Sequence, residues 1–303
     1  MRTHTVCTLH LADRASTRAS TDLMGHADLR FSVLGPVAVS SDRTPLELGP
    51  PQRRVLLTRL IVAYGRPVSM DTLCNDLWAG NPPRGATSAV HAHISRLRRL
   101  LQPQGATCAP HQPLTSGPHG YVLLIPEQAV DAVQFERSTY RTQELLDQGR
   151  ISEARETVTT ALGYWRGPAL TDAADHPFAA GEIARLEELR SAARELHIAA
   201  LLRAGIHTAA VTAAQDLTAD QPLRETAWEM LIHALRLVGR PAEAIQAYER
   251  VSRLLMMELG LQPGPALRAL QLAIRSRNCP AVKPRVSTTP PPSMPPSSRR
   301  VTI

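Results

Sequence analysis

Between Ala86 and Leu101 the chain reads ATSAVHAHISRLRRLL, with Val90, Ile94, Leu97 and Leu101 recurring at steps of four, three and four. That spacing is one face of an α-helix, and it decides which residues look outward. At about 100° per residue the opposite face carries Ser88, Ala92, Ser95 and Arg99, with Arg96 on its edge. One face is therefore a core seam, and the other is small, hydroxylated and cationic. A helix of this kind fits a major groove, because small residues let the backbone approach and guanidinium groups reach base edges or phosphates. Taken alone it reads more readily as a surface helix with solvated arginines, and the flanking sequence reverses that reading.

The segments before it, LRFSVLGPVAVS (29–40) and RTPLEL (43–48), are short and β-prone, with a Ser-Ser-Asp turn between them. PQRRVLLTRLIVAY follows, with Pro51 at a helix start and Gly65 at its end. A further helix opens at Ser69 and stops before Gly80-Asn-Pro-Pro. After the cationic helix, PLTSGPHGYVLLIP (113–126) carries Gly-containing turn signals before a strand and reads as a hairpin. Strands, three helices and a hairpin make a helix-turn-helix unit with a β-wing, its third helix being the recognition element.

Charge distribution agrees. Of the net +7, residues 29–126 contribute +6, residues 127–279 contribute −3, and the tail from Pro280 adds +4. A basic first domain on a mildly acidic second one points to an anionic partner for the first, nucleic acid or a membrane surface. No apolar run approaches membrane-spanning length. The first 28 residues lack a continuous hydrophobic segment and a clear cleavage site, so no secretory signal is read and a cytoplasmic, nucleoid-associated location is expected. Cys7, Cys74, Cys108 and Cys279 form no close pair, which argues against a zinc cluster or a disulfide framework. Lys283 is the only lysine, so no P-loop exists. With no Ser/His/Asp set, no HExxH and no glycine-rich phosphate loop, neither an enzyme nor a cofactor is expected.

From Asp131 the sequence becomes alanine-rich and helical, with Gly or Pro in short loops. ALRLVGRPAEAIQAYERV and the unit around Gly205 repeat at roughly the tetratricopeptide period, which implies an α-solenoid, usually a protein-binding surface. Trp165, Trp228, Tyr164 and Tyr248 are read as packing positions first and as a ligand cage second. The expected fold is thus an α+β winged helix-turn-helix followed by an all-α tetratricopeptide-like domain. Its segments are 1–28 and 280–303 as disordered ends, 29–126 as the winged domain and 127–279 as the helical one.

Among site candidates, Arg96 is assigned to bases and nearby phosphate and Arg99 to phosphate. Arg98, nearer the flank, is open to a phosphate or to an intramolecular ion pair. Ser88, Ala92 and Ser95 matter by being small, with Ser88 and Ser95 as phosphate donors. His91 and His93 invite a metal, but two residues apart on a helix they point about 200° from each other and cannot share one ion, so none is expected. His119, at the wing tip between Gly117 and Gly120, is placed to enter a minor groove, or is a plain hairpin tip. Gln52, Arg53 and Arg54 open the first long helix, whose amides favour a phosphate.

HISRLRRLL followed by GYVLL resembles the recognition helix and wing of OmpR-type response regulator output domains. AVDAVQFE, ALGYWRGPALTD, ARLEELRSAARE, QPLRETAWEMLIHALRLVGRPAEAIQAYERV and ELGLQPGPALRALQLAI resemble the bacterial transcriptional activation domain. Together, over about residues 29–277, they are similar to the small Streptomyces antibiotic regulatory protein family. The N-terminal extension matches nothing, and no receiver, nucleotide-binding or sensor module accompanies the two. The resemblance implies an activator of antibiotic or other secondary-metabolite genes. It would bind promoter direct repeats as two protomers, heterologously arranged on DNA, and engage RNA polymerase. It also places His93 close to the DNA backbone. The rival from another class is a helical scaffold whose winged domain binds protein instead of DNA.

Overall fold

The computed structural model describes residues 29–102 and 112–275. The expected ends at 1–28 and 280–303 lie outside these residues, as do Cys7, Cys108 and Cys279; Cys74 is buried.

The fold divides into two compact units. The first begins with strands β1 (Leu29–Ser32), β2 (Ala38–Ser41) and β3 (Thr44–Pro45), an antiparallel sheet in that order. Helices α1 (Pro51–Val62), α2 (Met70–Leu77) and α3 (Ala86–Leu100) follow, then the hairpin β4 (Leu114–Gly117) and β5 (Gly120–Leu123). Pro51 starts α1 because the missing amide of proline has no partner to lose at a helix N-terminus. Ser69 starts α2 by accepting a hydrogen bond from the Thr72 amide at 3.1 Å. The apolar seam of α3, namely Ala86, Val90, Ile94 and Leu97, is buried against α1, α2 and β4. Leu56, Leu57, Leu60, Leu73 and Leu114 lie in the same core.

The wing is fastened to the loop before α2: Val68 and Tyr121 exchange both backbone hydrogen bonds at 2.9 Å. Gly120 makes that approach feasible. It sits at φ +119°, and a Cβ there would run into the Val68 carbonyl oxygen.

The first unit is not one run of chain. Among the described residues it takes 29–102 and 112–131 together with Leu170–Ala179, whereas the sequence divides the domains once, after residue 126. The reason is polar. Asp131 accepts from the amides of Val33 (2.8 Å) and Leu34 (3.3 Å), and the Leu170 amide donates to the Val33 carbonyl (2.9 Å). Asp172, in a short 3-10 turn at Thr171–Ala173, accepts from the Val37 amide and from Arg54 Nε, each at 2.6 Å. These carboxylates satisfy strand-end amides that the small sheet leaves open.

Among the described residues the second unit takes Ala132–Ala169 and 180–275. Its described elements are α4 (Asp131–Asp147), α5 (Ile151–Leu162), α6 (Pro177–Arg203), α7 (His207–Asp220), α8 (Glu225–Leu237), α9 (Pro241–Leu259) and α10 (Pro265–Arg275). Gly205 and Gly239 stand 34 residues apart, the tetratricopeptide period. Each closes a helix at φ near +75°, and the next amide returns to a carbonyl five residues back: Ile206 to Leu201 and Arg240 to Leu235. Trp228 and Tyr248 are buried in the core that α7 to α10 share. Trp165 stacks edge-on to Phe135 and lies under the Arg190 guanidinium. No described helix is long and apolar enough to cross a membrane.

Candidate nucleic-acid interface

The outward side of α3 carries Thr87, Ser88, His91, Ala92, Ser95, Arg96 and Arg99, all exposed, with His93 and Arg98 half-buried at its margins. Across from it, the first turn of α1 contributes Arg53. The three arginines face one another: Arg53 has its pKa lowered by burial and then by the charges of Arg96 and Arg99. His93 joins them, its pKa lowered by burial and then by Arg53, which keeps the ring neutral at neutral pH.

Among the described residues the side chain of neither Arg96 nor Arg99 makes a hydrogen bond or an ion pair. Glu47 borders the same hollow, with Arg53, Arg96, Arg99 and Leu100, and it is not paired with them. Arg53 donates Nη1 to the Leu48 carbonyl at 2.8 Å, while its Nε is buried without a partner. Like charges brought together without a counter-ion repel, so the cluster is stabilised by any polyanion that lies across it.

Two other expected contacts are engaged inside the fold. Arg54 donates Nε to Asp172 and Nη1 to the Gly49 carbonyl at 2.8 Å, which directs it away from the cluster. Arg98 makes no pair with an acid. Its Nε donates to the Leu114 carbonyl at 3.0 Å, and its guanidinium lies over the Tyr121 ring at 5.7 Å, so it braces recognition helix against wing. The amides of Arg53 and Arg54 turn back onto the Pro50 carbonyl, so the α1 terminus has fewer amides to offer an anion than the sequence implies. Gln52 and His119 are exposed, the latter at the tip between β4 and β5.

His91 is the residue that the sequence reading considered only as a metal ligand. It lies three positions after Ser88 and four before Ser95, inside the exposed stripe, and that spacing is the signal that marks it. Its Nδ1 is 2.9 Å from Tyr121 Oη, and the rings meet edge-on at 6.3 Å.

Comparison with known proteins matches residues 43–123 to the family "Transcriptional regulatory protein, C terminal" and residues 130–275 to the "Bacterial transcriptional activator domain". The chain is 36% identical over 242 residues to the transcriptional regulatory protein EmbR of Mycobacterium tuberculosis, covering 80% of this chain and 62% of that one. It is 34% identical over 240 residues to the transcriptional regulator RedD of Streptomyces coelicolor, covering 79% and 68%. The regulatory protein AfsR of the same species is 36% identical over 247 residues, covering 81% and 24%. The chain thus spans about three fifths of EmbR and a quarter of AfsR. The structure of Mycobacterium tuberculosis EmbR in complex with a low-affinity phosphopeptide superposes with a TM-score of 0.77 at 35% identity, over 84% of this chain and 66% of that one. The matched families and relatives are transcriptional regulators, not enzymes. Winged output domain, activator domain and a relative matched over two thirds of its length together assign the chain to the Streptomyces antibiotic regulatory protein family.

Proposed function

We propose that the protein is a sequence-specific activator that lays α3 into the major groove of promoter DNA. The observation that carries this is the outward cluster of Arg53, His93, Arg96 and Arg99. His93, Arg96 and Arg99 stand on α3, whose other side is locked in the core, Arg53 joins them from α1, and among the described residues Arg96 and Arg99 have no ion pair. In this reading Arg96 contacts a base and the adjoining phosphate, and Arg99, Arg53 and His93 hold phosphates that fix the register. Ser88, Ala92 and Ser95 keep the helix surface low enough for close approach. Ser88 and Ser95 add hydroxyl donors, His119 faces a minor groove, and Gln52 lies beside the phosphate path. Arg54 and Arg98 brace the fold from behind.

Two protomers would occupy direct repeats, which requires a head-to-tail arrangement of the winged units on DNA. The helical unit would pair the protomers and engage RNA polymerase, at promoters of a secondary-metabolite gene cluster and within the cytoplasm. Membership of the Streptomyces antibiotic regulatory protein family, with RedD and AfsR as Streptomyces relatives, supports that target class. The test is a mobility-shift titration on the promoters beside the gene across a range of salt. A retarded, sequence-dependent band that weakens steeply with salt is expected. A protein that shows no sequence preference even at low salt would instead be the protein-binding scaffold.

A further inference from the structure

The stripe of α3 that faces outward contains one aromatic side chain, His91, and the structure holds it in place from the wing. Tyr121 itself is fixed. Its backbone is paired on both polar atoms with Val68, its ring is 8% exposed, and Arg98 covers it. Its hydroxyl emerges from this support to meet His91 Nδ1 at 2.9 Å. Either atom of this pair can donate, and among the described residues Tyr121 Oη has no other hydrogen-bond partner. With the hydroxyl as donor, an imidazole that accepts at Nδ1 carries its proton on Nε2. In that arrangement the ring, edge-on to the tyrosine, presents an N–H from the middle of the exposed stripe between Ser88 and Ser95.

We infer that His91 is a specificity-determining residue that donates from Nε2 to a guanine in the major groove, with Tyr121 as the positioning residue that sets its tautomer and angle. The choice of base follows from donor and acceptor patterns. Guanine offers two adjacent acceptors, N7 and O6, to one N–H, whereas adenine sets a donor beside its N7 and cytosine presents only a donor. The inference rests on the DNA-binding reading above and deepens it by adding a base-reading residue beside Arg96. It also explains why a tyrosine stands at the root of the wing: Phe would fill the same space but leave the imidazole free to turn.

The experiment is selection of duplexes from a randomised library by the full chain, by His91→Ala and by Tyr121→Phe, followed by titration of the enriched site. The wild-type protein is expected to enrich a motif with a guanine at one position that His91→Ala no longer demands, all other positions keeping their preference. Replacing that guanine by 7-deazaguanine or adenine should weaken the wild type about 2- to 12-fold and leave His91→Ala unaffected. Tyr121→Phe should keep its melting temperature and salt dependence and lose part of the preference at that position alone, a change that a merely structural role would not produce. If His91→Ala enriches the wild-type motif unchanged, the assignment falls while DNA recognition stands. If the wild type enriches no motif, the DNA-binding reading falls and takes this one with it.

Discussion

The two units differ in how their arginines are partnered. In the helical unit Arg141, Arg150, Arg185, Arg190, Arg194, Arg224 and Arg240 each reach a carboxylate within 3.5 Å. In the winged unit Arg54 and Arg59 do so, with Asp172 and Asp76, but Arg96 and Arg99 on the exposed helix do not. These seven arginines are closed on carboxylates of their own unit and act as scaffold, while others there meet a backbone carbonyl or a ring, as Arg203, Arg253 and Arg250 do. On the winged unit Arg96 and Arg99 stand beside Arg53 with no ion pair among the described residues. The pairing of particular arginines, not their number, separates scaffold from open side chains.

The hardest way to break this contrast is to remove a scaffold arginine. Arg224 donates Nε to Glu195 at 2.5 Å and its two Nη atoms to Glu188 at 2.9 Å, and Thr226 also donates to Glu195. Burial pulls its pKa down, but the bonds and charges of Glu188 and Glu195 reverse that, and the net shift is upward. Glu195 is fully buried, so Arg224→Ala leaves a carboxylate with neither water nor a counter-ion. Unfolding by urea should show a loss of about 3–5 kcal/mol. Removal of an open arginine should do the reverse: Arg96→Ala should keep its stability, lose about 1–3 kcal/mol of DNA affinity and blur preference at one base position. Arg99→Ala should weaken all sequences alike and reduce the salt slope by about one. If either melts early and binds normally, the contrast is wrong.

A titration sharpens it further. Burial, followed by the charges of Glu225 and Glu195, pushes the Glu229 carboxyl up to about 7 from an ordinary 4.5. A raised carboxyl favours the folded state only while protonated, so its penalty is absent below about pH 4.5, grows as pH rises to about 7 and is constant above. Glu229→Gln should therefore melt higher than the wild type at pH 8, by about 1 kcal/mol once solvent screening is allowed for, and the same at pH 4.5. Equal differences at both pH values would dismiss the buried-acid account. The smallest effect is expected from Arg54→Ala. Asp172 keeps its bond to the Val37 amide, so stability should fall by about 1 kcal/mol with the salt slope of DNA binding unchanged. A reduced slope would return Arg54 to the phosphate contacts.

Much of this was legible in the chain. The steps from Val90 to Leu101 gave the buried seam of α3 because helical period is a local property. Pro51 and Ser69 marked helix starts for the same reason. What stayed hidden depends on distant partners. Arg53 and Arg54 are adjacent and identical in type, yet one faces Arg96 and the other Asp172, 118 positions away. Arg98 meets a carbonyl and a ring on the hairpin, which no spacing encodes. The place of His91 in the exposed stripe is legible from its spacing to Ser88 and Ser95, but its tie to Tyr121 appears only once the wing is folded.

The discontinuous build of the winged unit sets a timetable on the ribosome. Leu170–Ala179 belong to it, so at Asp131 the nascent chain still lacks the stretch that meets Val33, Val37 and Arg54. At roughly 5–20 residues per second, several seconds pass before that stretch is made, and it emerges later still from the exit tunnel. The reader of DNA is thus completed only after the first helices of its neighbour have been synthesised, and a fragment ending at Pro126 never acquires those bonds.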